Sequence, residues 1–205
     1  LLTVLWSCAV DAAELKVISA GAVRGLIAGI ITDYSQHSGA RFDFKVGTTG
    51  QLRRIIASGE AADLIIASAP LMAELEASGK MIAGSRADLG RVGIGVAVRE
   101  GAHMPDLSSP EAFKQLLLTA RSVAYTDPRE GGTSSAYVLG VLERFGITDA
   151  VTGKAVLTKG GHEAVEKVAH GEAEIAVSLM SDVGFLLNAA KSGLETYHKH
   201  PNFKR

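Results

Sequence analysis

The residues best suited to chemistry are glycines and hydroxylated residues that stand between an apolar run and a helical pattern. Gly131, Gly132, Thr133 and Ser134 follow a short strand predicted for residues 122–125 and precede apolar residues at helical spacing. The first N–H groups of a helix lack intrahelical partners and carry the positive end of the helix dipole, so hydroxyls beside them favour an anion site. Ser and Thr are also ordinary helix N-caps, and that second interpretation stays open.

The same construction recurs at other junctions between a predicted strand and a predicted helix. The turn residues at these junctions are Ser19, Gly21 and Ala22; Thr48 and Thr49; and Gly161 and His162. In an open α/β sheet, ligands bind outside the carboxyl ends of the strands, which is where such turns lie. The repetition therefore predicts a cage of neutral donors around one small anion.

From Glu14 onward, short strand patterns alternate with helical patterns. Pro70 opens one helix and Gly79 follows its end, which is the usual placement of these two residue types. A βαβα order favours parallel strands with helices on both faces of a sheet. The alternation of strand and helix patterns is interrupted at residues 84–90. The apolar residues of 91–98 then alternate with Gly or Ala, as in a long strand that crosses between two lobes. We therefore predict an α/β fold.

The composition is that of a soluble globular chain, with 205 residues, 47% hydrophobic and 21% charged, and a formal net charge of -1. Aromatic residues make up 5% and are not interleaved with basic residues, which disfavours a nucleic-acid partner. The turns lack phosphate-loop and dinucleotide-binding fingerprints. His198 and His200 are weak evidence for a metal site because they lie in an aperiodic tail, so neither a metal nor a cofactor is predicted.

Residues 1–12 differ in kind from the rest of the chain. They are mostly apolar, and the 10–12 segment offers small residues suited to signal-peptidase cleavage. We interpret the segment as the remnant of a secretory signal, which predicts export to the periplasm; a first buried strand or helix is the alternative. Cys8, the only cysteine, lies there, so a lipid-anchored form is a minor alternative and a mature chain has no thiolate nucleophile.

A family resemblance is carried by markers spread over residues 15–182. These markers are residues 17–22, 47–52 and 61–69, the Asp127-Pro128 turn, and residues 174–177. Together they resemble the periplasmic molybdate-binding-like solute-binding proteins of ABC uptake systems, which have the two-lobed type-two periplasmic-binding fold. The resemblance implies lobes built on mostly parallel sheets flanked by helices, a monomer without enzymatic activity, and a permease of the inner membrane as partner.

The resemblance also implies the organisation of the chain. Its parts are the signal remnant at 1–12, a first lobe at 13–84, a second lobe at 85–180, and a return to the first lobe at 181–205. The last part ends in a polar, basic tail unlike the family's returning strands, which indicates a truncated or frame-shifted sequence and a first lobe that lacks a strand. We expect the lobes to hinge around a ligand at the links near 85–91 and 177–181.

Carried over residue by residue, the family's oxyanion site falls on Ala22, Thr49 or Thr48, Gly132 or Thr133, Gly161 or His162, and Leu179. Ala22 and Leu179 have no hydroxyl where the family's molybdate binders have a Ser and a Tyr. An unpaired buried polar group costs about 1–3 kcal/mol, so the two missing donors argue against molybdate. The pattern is closer to the branch of the family that handles small organic polycarboxylates and includes aconitate isomerases.

Two arginines are candidates for pairing with the carboxylates of such a ligand. Arg24 is in the first turn of the first helix and Arg129 is in the glycine turn; solvated surface positions are the alternative for both. The candidate bases for proton abstraction are His162, Glu130 and Glu163, too few to assign a catalytic residue. The sequence thus predicts a substrate-binding component that captures a small anion between two lobes. An aconitate-type isomerase on the same scaffold is the alternative, and a defective or repurposed fragment is the third hypothesis.

Overall fold

The computed structural model describes residues 14–182 and the short segment 194–196. Residues 14–77 form a first lobe around a three-stranded sheet of order β2-β1-β3, in which both neighbours run parallel to β1. Its elements are β1 (Glu14–Ala20), a 3-10 turn (Gly21–Val23), α1 (Arg24–Ser38), β2 (Arg41–Gly47), α2 (Thr49–Ala57), β3 (Leu64–Ile66) and α3 (Ala69–Ala77).

The second lobe is built on a five-stranded sheet of order β6-β5-β7-β4-β8. Its elements are β4 (Ile94–Arg99), α4 (Pro110–Thr119), β5 (Val123–Thr126), a 3-10 turn (Pro128–Glu130), α5 (Thr133–Phe145), α6 (Thr148–Thr152), β6 (Ala155–Thr158), α7 (Gly161–Ala169), β7 (Ile175–Leu179) and β8 (Leu194–Thr196). β5 runs parallel to β6 and β7, whereas β4 runs antiparallel to β7 and β8.

An irregular connection of residues 78–93 joins α3 of the first lobe to β4 of the second. The boundary predicted between residues 84 and 85 falls within this connection. The strand predicted for 91–98 is observed at Ile94–Arg99, and it lies wholly in the second sheet. The chain therefore crosses between the lobes through the irregular connection, not along a strand.

Helix starts and ends follow local sequence signals. Ser109 accepts a hydrogen bond from the Ala112 N–H (3.1 Å), and Pro110 occupies the first turn, so α4 begins with a side-chain cap and a proline. Gly146 ends α5 with a φ of 64°, a left-handed conformation in which glycine avoids the strain of a Cβ. The apolar face of α5, which includes the fully buried Leu142, packs into the core of the second lobe.

The two faces of the second sheet are packed differently. Large side chains such as Leu117 and Val123 form the core under α4 and α5. The opposite face is lined by small residues, among them Ala124 and Ala176, which pack against Ala164 of α7. Small side chains let a helix approach a sheet closely, so the N-terminus of α7 reaches the carboxyl end of β7.

One short segment near the end of the chain is described. Leu194–Thr196 pairs antiparallel with β4 in the second sheet, and the return of residues 181–205 to the first lobe stays a prediction. This pairing covers part of the edge of β4 that faces away from β7, where backbone N–H and C=O groups would otherwise lack partners. Residues 1–13, 183–193 and 197–205 lie outside the described residues, and with them the predicted signal remnant and most of the tail. No helix in the described part of the chain is long and apolar enough to cross a membrane.

Candidate functional site

A cleft of about 850 Å³ lies between the two lobes, where strands of both sheets end. Its walls are the residues that follow β1, β2, β5, β6 and β7, with the first turns of the helices behind them. The predicted site residues that line the cleft are Gly21, Ala22, Thr48, Thr49, Gly132, Thr133, Ser134, Gly161, His162 and Leu179. Ser19 and Gly131 do not line it. Ser19 is fully buried and its hydroxyl donates to the Ala20 carbonyl, while Gly131 packs against Gly50.

Two helices present uncapped N-termini to the cleft. Gly132 precedes α5 and Gly160 precedes α7, and neither glycine supplies a side-chain hydrogen bond to the helix that follows it. Neither helix start is therefore closed by a cap from the residue before it, and the intrahelical ladder does not use the first N–H groups of a helix. Together with the helix dipoles, these groups offer positive charge without a cationic side chain.

Buried hydroxyls fix the start of α5. Ser134 Oγ lies 3.2 Å from Thr126 Oγ1 at the end of β5, and the Ser135 hydroxyl donates to the Gly132 carbonyl (2.8 Å). All three hydroxylated residues are buried, where a polar group needs a partner. Ser134 thus anchors the first turn of α5 as well as lining the cleft.

Thr48 is a helix N-cap, which is the second of the two roles considered for the hydroxylated turn residues. Its hydroxyl accepts from the Gln51 N–H (3.2 Å), and the Gln51 side chain accepts from the Thr48 N–H (2.9 Å), which is a reciprocal capping box at the start of α2. The same hydroxyl donates its single proton to the Glu130 carbonyl of the second lobe (2.7 Å). In this arrangement Thr48 has no hydroxyl proton left for an anion.

The lobes touch beside the cleft. The Gly50 N–H donates to the Gly131 carbonyl (3.0 Å), and the hydroxyls of Thr49 and Thr133 lie 3.0 Å apart. A Cβ on Gly50 would lie only 2.4 Å from the Glu130 carbonyl oxygen, so this close approach of two backbones requires glycine. The contact closes one side of the cleft and brings Thr49 and Thr133 together from different lobes.

Cationic side chains line the cleft, and sequence reasoning found only one of them. Arg24 lies in the wall, and Arg91 and Lys159 lie there too. Within the described residues none of the three forms a salt bridge. Arg129, the other predicted carboxylate partner, is not in the wall; its guanidinium pairs with Asp127, which holds the pKa of that carboxyl below its usual range.

A buried carboxyl, Asp182, also lines the cleft and was missed in the sequence. It is 9% exposed and accepts a hydrogen bond from the Ser178 hydroxyl (2.8 Å). Burial raises the pKa of Asp182, although the Ser178 hydrogen bond and the charges of His162 and Arg24 offset part of the rise. The available signal was the spacing of Ser178 and Asp182, four residues apart where a buried strand gives way to a helical turn.

Two of the three candidate bases named from the sequence lie in the cleft wall, and the third does not. His162 and Glu163 line the cleft, and Glu130 does not. The Glu163 carboxylate accepts from the Lys159 N–H (2.9 Å), and His162 Nε2 lies 3.4 Å from Glu166 Oε1. The Glu130 carboxylate instead contacts polar side chains of α2, which removes it from consideration as a base in the cleft.

A family model described as bacterial extracellular solute-binding protein matches residues 15–201. The chain belongs to this family. Among characterised proteins, this solute-binding protein is similar to an aconitate isomerase from Pseudomonas sp., with 38% identity over 122 residues. That match covers 57% of this chain and 47% of the isomerase, so the chain spans about half the length of that relative.

Two solved structures resemble this solute-binding protein over most of its length. The tungstate ABC transporter structure from Geobacter sulfurreducens has a TM-score of 0.69 at 16% identity, and the match covers 93% of this chain and 82% of that one. The periplasmic molybdate-binding protein of Azotobacter vinelandii has a TM-score of 0.63 at 19% identity, with 82% and 72% covered. The family resemblance and the two-lobed α/β fold class predicted from the sequence are thereby confirmed. Similarity at these identities shows the fold alone.

Replacing Gly50 with alanine in this solute-binding protein should separate the lobes, because the added Cβ would meet the Glu130 carbonyl oxygen at 2.4 Å. Small-angle scattering should give Gly50→Ala a larger radius of gyration than the wild type. Gly29→Ala, in α1 of the same lobe, is the matched control because a Cβ there meets nothing within 4 Å. Equal radii for the two variants would show that Gly50 does not hold the lobes together.

Proposed function

We propose that this solute-binding protein captures a small organic polycarboxylate, and that a tricarboxylate of the aconitate type suits the cleft best. The observation that carries the proposal is the set of cationic side chains in the wall, Arg24, Arg91 and Lys159, without salt bridges in the described part of the chain. They offer one cationic partner for each carboxylate of a tricarboxylate, and the same wall also holds the side chains of Glu163, Glu166 and Asp182. An Arg guanidinium binds a carboxylate through two parallel hydrogen bonds, which favours a planar carboxylate as its partner.

A tetrahedral oxyanion suits this wall less well, because its oxygens need donors on all sides. Ala22 and Leu179 line the cleft at positions where the family's molybdate binders have hydroxyls, and Thr48 uses its hydroxyl proton on the Glu130 carbonyl. Each missing donor costs a buried anion about 1–3 kcal/mol. An organic acid instead has a carbon skeleton that can lie against Ala22 and Leu179.

Ser181 supports the presence of a polar ligand. Its Oγ is buried and has no hydrogen-bond partner among the described residues, and the residue lines the cleft. Nearly all buried polar atoms in folded proteins are paired, so an unpaired hydroxyl at a cleft needs an explanation. We propose that an oxygen of the ligand accepts a hydrogen bond from this hydroxyl. The uncapped helix starts of α5 and α7 are further donors to the same ligand.

We place the protein in an ABC uptake system. The family is extracellular by its description, and the two structural relatives are titled as a tungstate ABC transporter and a periplasmic molybdate-binding protein. For this chain we infer export to the periplasm, capture of the acid between the lobes, and delivery to a permease of the inner membrane. Closure would take place by a hinge motion in the connection of residues 78–93.

Isomerisation of an aconitate-type acid in the same cleft is the second candidate function. It is favoured by the similarity to the Pseudomonas aconitate isomerase and by the titratable side chains of His162, Glu163 and Asp182 in the wall. Capture ranks first because the family match runs from residue 15 to residue 201, whereas the match to the isomerase covers 57% of the chain.

Melting temperatures measured with citrate, cis-aconitate, trans-aconitate, sulfate, molybdate and tungstate test the proposed ligand class. A ligand at 100 times its Kd stabilises the folded state by about 2.7 kcal/mol, which raises Tm by about 5–10 °C for a chain of this size. We expect that rise with the carboxylic acids and no rise with the tetrahedral anions. Sodium chloride at matched ionic strength is the control. Stabilisation by molybdate or tungstate alone would refute the proposal.

Removing the Arg24 guanidinium should weaken capture specifically. Arg24→Gln loses a charge-assisted contact with a carboxylate, worth about 1.5–3 kcal/mol, so titration calorimetry should show a Kd for trans-aconitate about 10–150-fold higher. Arg129→Gln makes the same chemical change at a side chain that is 85% exposed and outside the cleft wall. That control should keep the Kd within about two-fold. Similar losses in both variants would indicate a general charge effect and not a contact by Arg24.

A further inference from the structure

We infer that Asp182 is the proton-transfer group of the cleft and moves a proton along the carbon skeleton of a bound unsaturated polycarboxylate. The inference rests on the proposed carboxylate ligand and adds to it a reaction and the residue that carries it. The observation behind it is an acidic group in a cleft that is proposed to bind an anion. Cations and uncapped helix starts line the cleft, and yet a buried carboxyl lies in the same wall. A permanent negative charge there would repel an anionic ligand, whereas a carboxyl that gains and loses a proton has a chemical use.

The position of the Asp182 carboxyl is fixed from two sides. Ser178, in β7, donates to Oδ2 at 2.8 Å. The start of α7 lies directly against the carboxyl, since a Cβ on Gly161 would come within 2.1 Å of Oδ2. Glycine at that position makes the room that the carboxyl occupies. Asp182 is therefore held in one place at the cleft wall, as a proton-transfer group must be.

Side chains of both charges share the cleft wall with Asp182. The charged and titratable side chains there are Arg24, Arg91, Lys159, His162, Glu163 and Glu166. Burial raises the pKa of Asp182 by more than Ser178, His162 and Arg24 lower it. An ordinary Asp is a weak base near neutral pH, and a raised pKa makes the carboxylate a better proton acceptor and the carboxyl a ready donor. Perturbed groups of this kind are typical of reactive sites.

The reaction that suits this group is a proton shift in an acid whose methylene carbon adjoins a carbon–carbon double bond. The Asp182 carboxylate takes a proton from the methylene carbon, and the C–H electron pair forms a new double bond to the central carbon. The electron pair of the old double bond moves to the far carbon, which receives the proton back from Asp182. No atom is gained or lost and no oxidant is needed. The new double bond forms with either cis or trans geometry, so the two isomers interconvert.

The wall also holds groups that stabilise the charge between the two steps. When the proton leaves carbon, negative charge spreads onto a carboxylate of the substrate. Donors in the wall include the cations Arg24, Arg91 and Lys159, the helix starts of α5 and α7, and the Ser181 hydroxyl, which has no partner among the described residues. Donors aimed at the place where charge develops are a large source of rate enhancement. The base and the donors thus lie around one cavity.

Interconversion of cis- and trans-aconitate by the full chain, followed by proton NMR, tests the assignment. Asp182→Asn keeps the shape of the side chain and removes the titrating group. We expect its rate to fall by about 100-fold or more, which is the usual contribution of a positioned base. By calorimetry its Kd for trans-aconitate should be no weaker than that of the wild type. Glu172→Gln, at an exposed residue that pairs with Lys167, is the charge-matched control and should keep the wild-type rate.

The pH profile of the wild type is a second readout that does not depend on a variant. The rate should rise with pH through an apparent pKa above the ordinary Asp value, because only the ionised carboxylate abstracts a proton. A rate that is independent of pH, or interconversion that survives in Asp182→Asn, would overturn the assignment. Binding of trans-aconitate by the wild type without interconversion would also overturn it, while leaving carboxylate capture intact. If trans-aconitate does not stabilise the wild type, both the proposed capture of a polycarboxylate and the proposed reaction are refuted.

Discussion

A helix that follows a glycine has no side-chain cap from that residue, and the cleft is organised around two such helix starts. Gly132 and Gly160 give α5 and α7 no side-chain cap. Uncapped helix starts and the helix dipoles favour a negative group at this place. The layer of small residues under α7, with Ala164 against the sheet, brings one start to the end of β7, and the buried hydroxyl of Ser134 anchors the other. Packing in the second lobe is therefore what positions the site.

The helix starts favour any small anion, and specificity for one anion depends on the side chains of the cleft wall. Arg24, Arg91 and Lys159 add positive charge, while Ala22 and Leu179 withhold hydroxyl donors. Structures titled for tungstate and for molybdate share the fold at 16% and 19% identity, so the ligand of this chain has to be inferred from its own side chains. In this chain the wall combines charge for carboxylates with apolar surface for carbon, and that combination underlies the proposed specificity.

Much of the fold and of the cleft was predictable, because short buried strands, glycine turns and helix caps are local signals. Roles that depend on distant partners were not. Thr48 is a cap and a lobe contact because its hydroxyl meets the Glu130 carbonyl, 82 residues away. Nothing local separates Arg24 from Arg129, and the structure shows that Arg129 pairs with Asp127 and does not line the cleft. Asp182 resembled an ordinary residue of a helical turn, and its burial follows from the approach of α7, which sequence patterns do not encode.

A crystal structure of the protein with trans-aconitate tests the central claim most directly. We expect one carboxylate on the Arg24 guanidinium, another at the first N–H groups of α5 or α7, and the carbon skeleton against Ala22 and Leu179. The Asp182 carboxyl should face the methylene carbon of the ligand. An acid bound in the cleft without contact to Arg24, or a tetrahedral oxyanion retained there in place of the acid, would contradict the account.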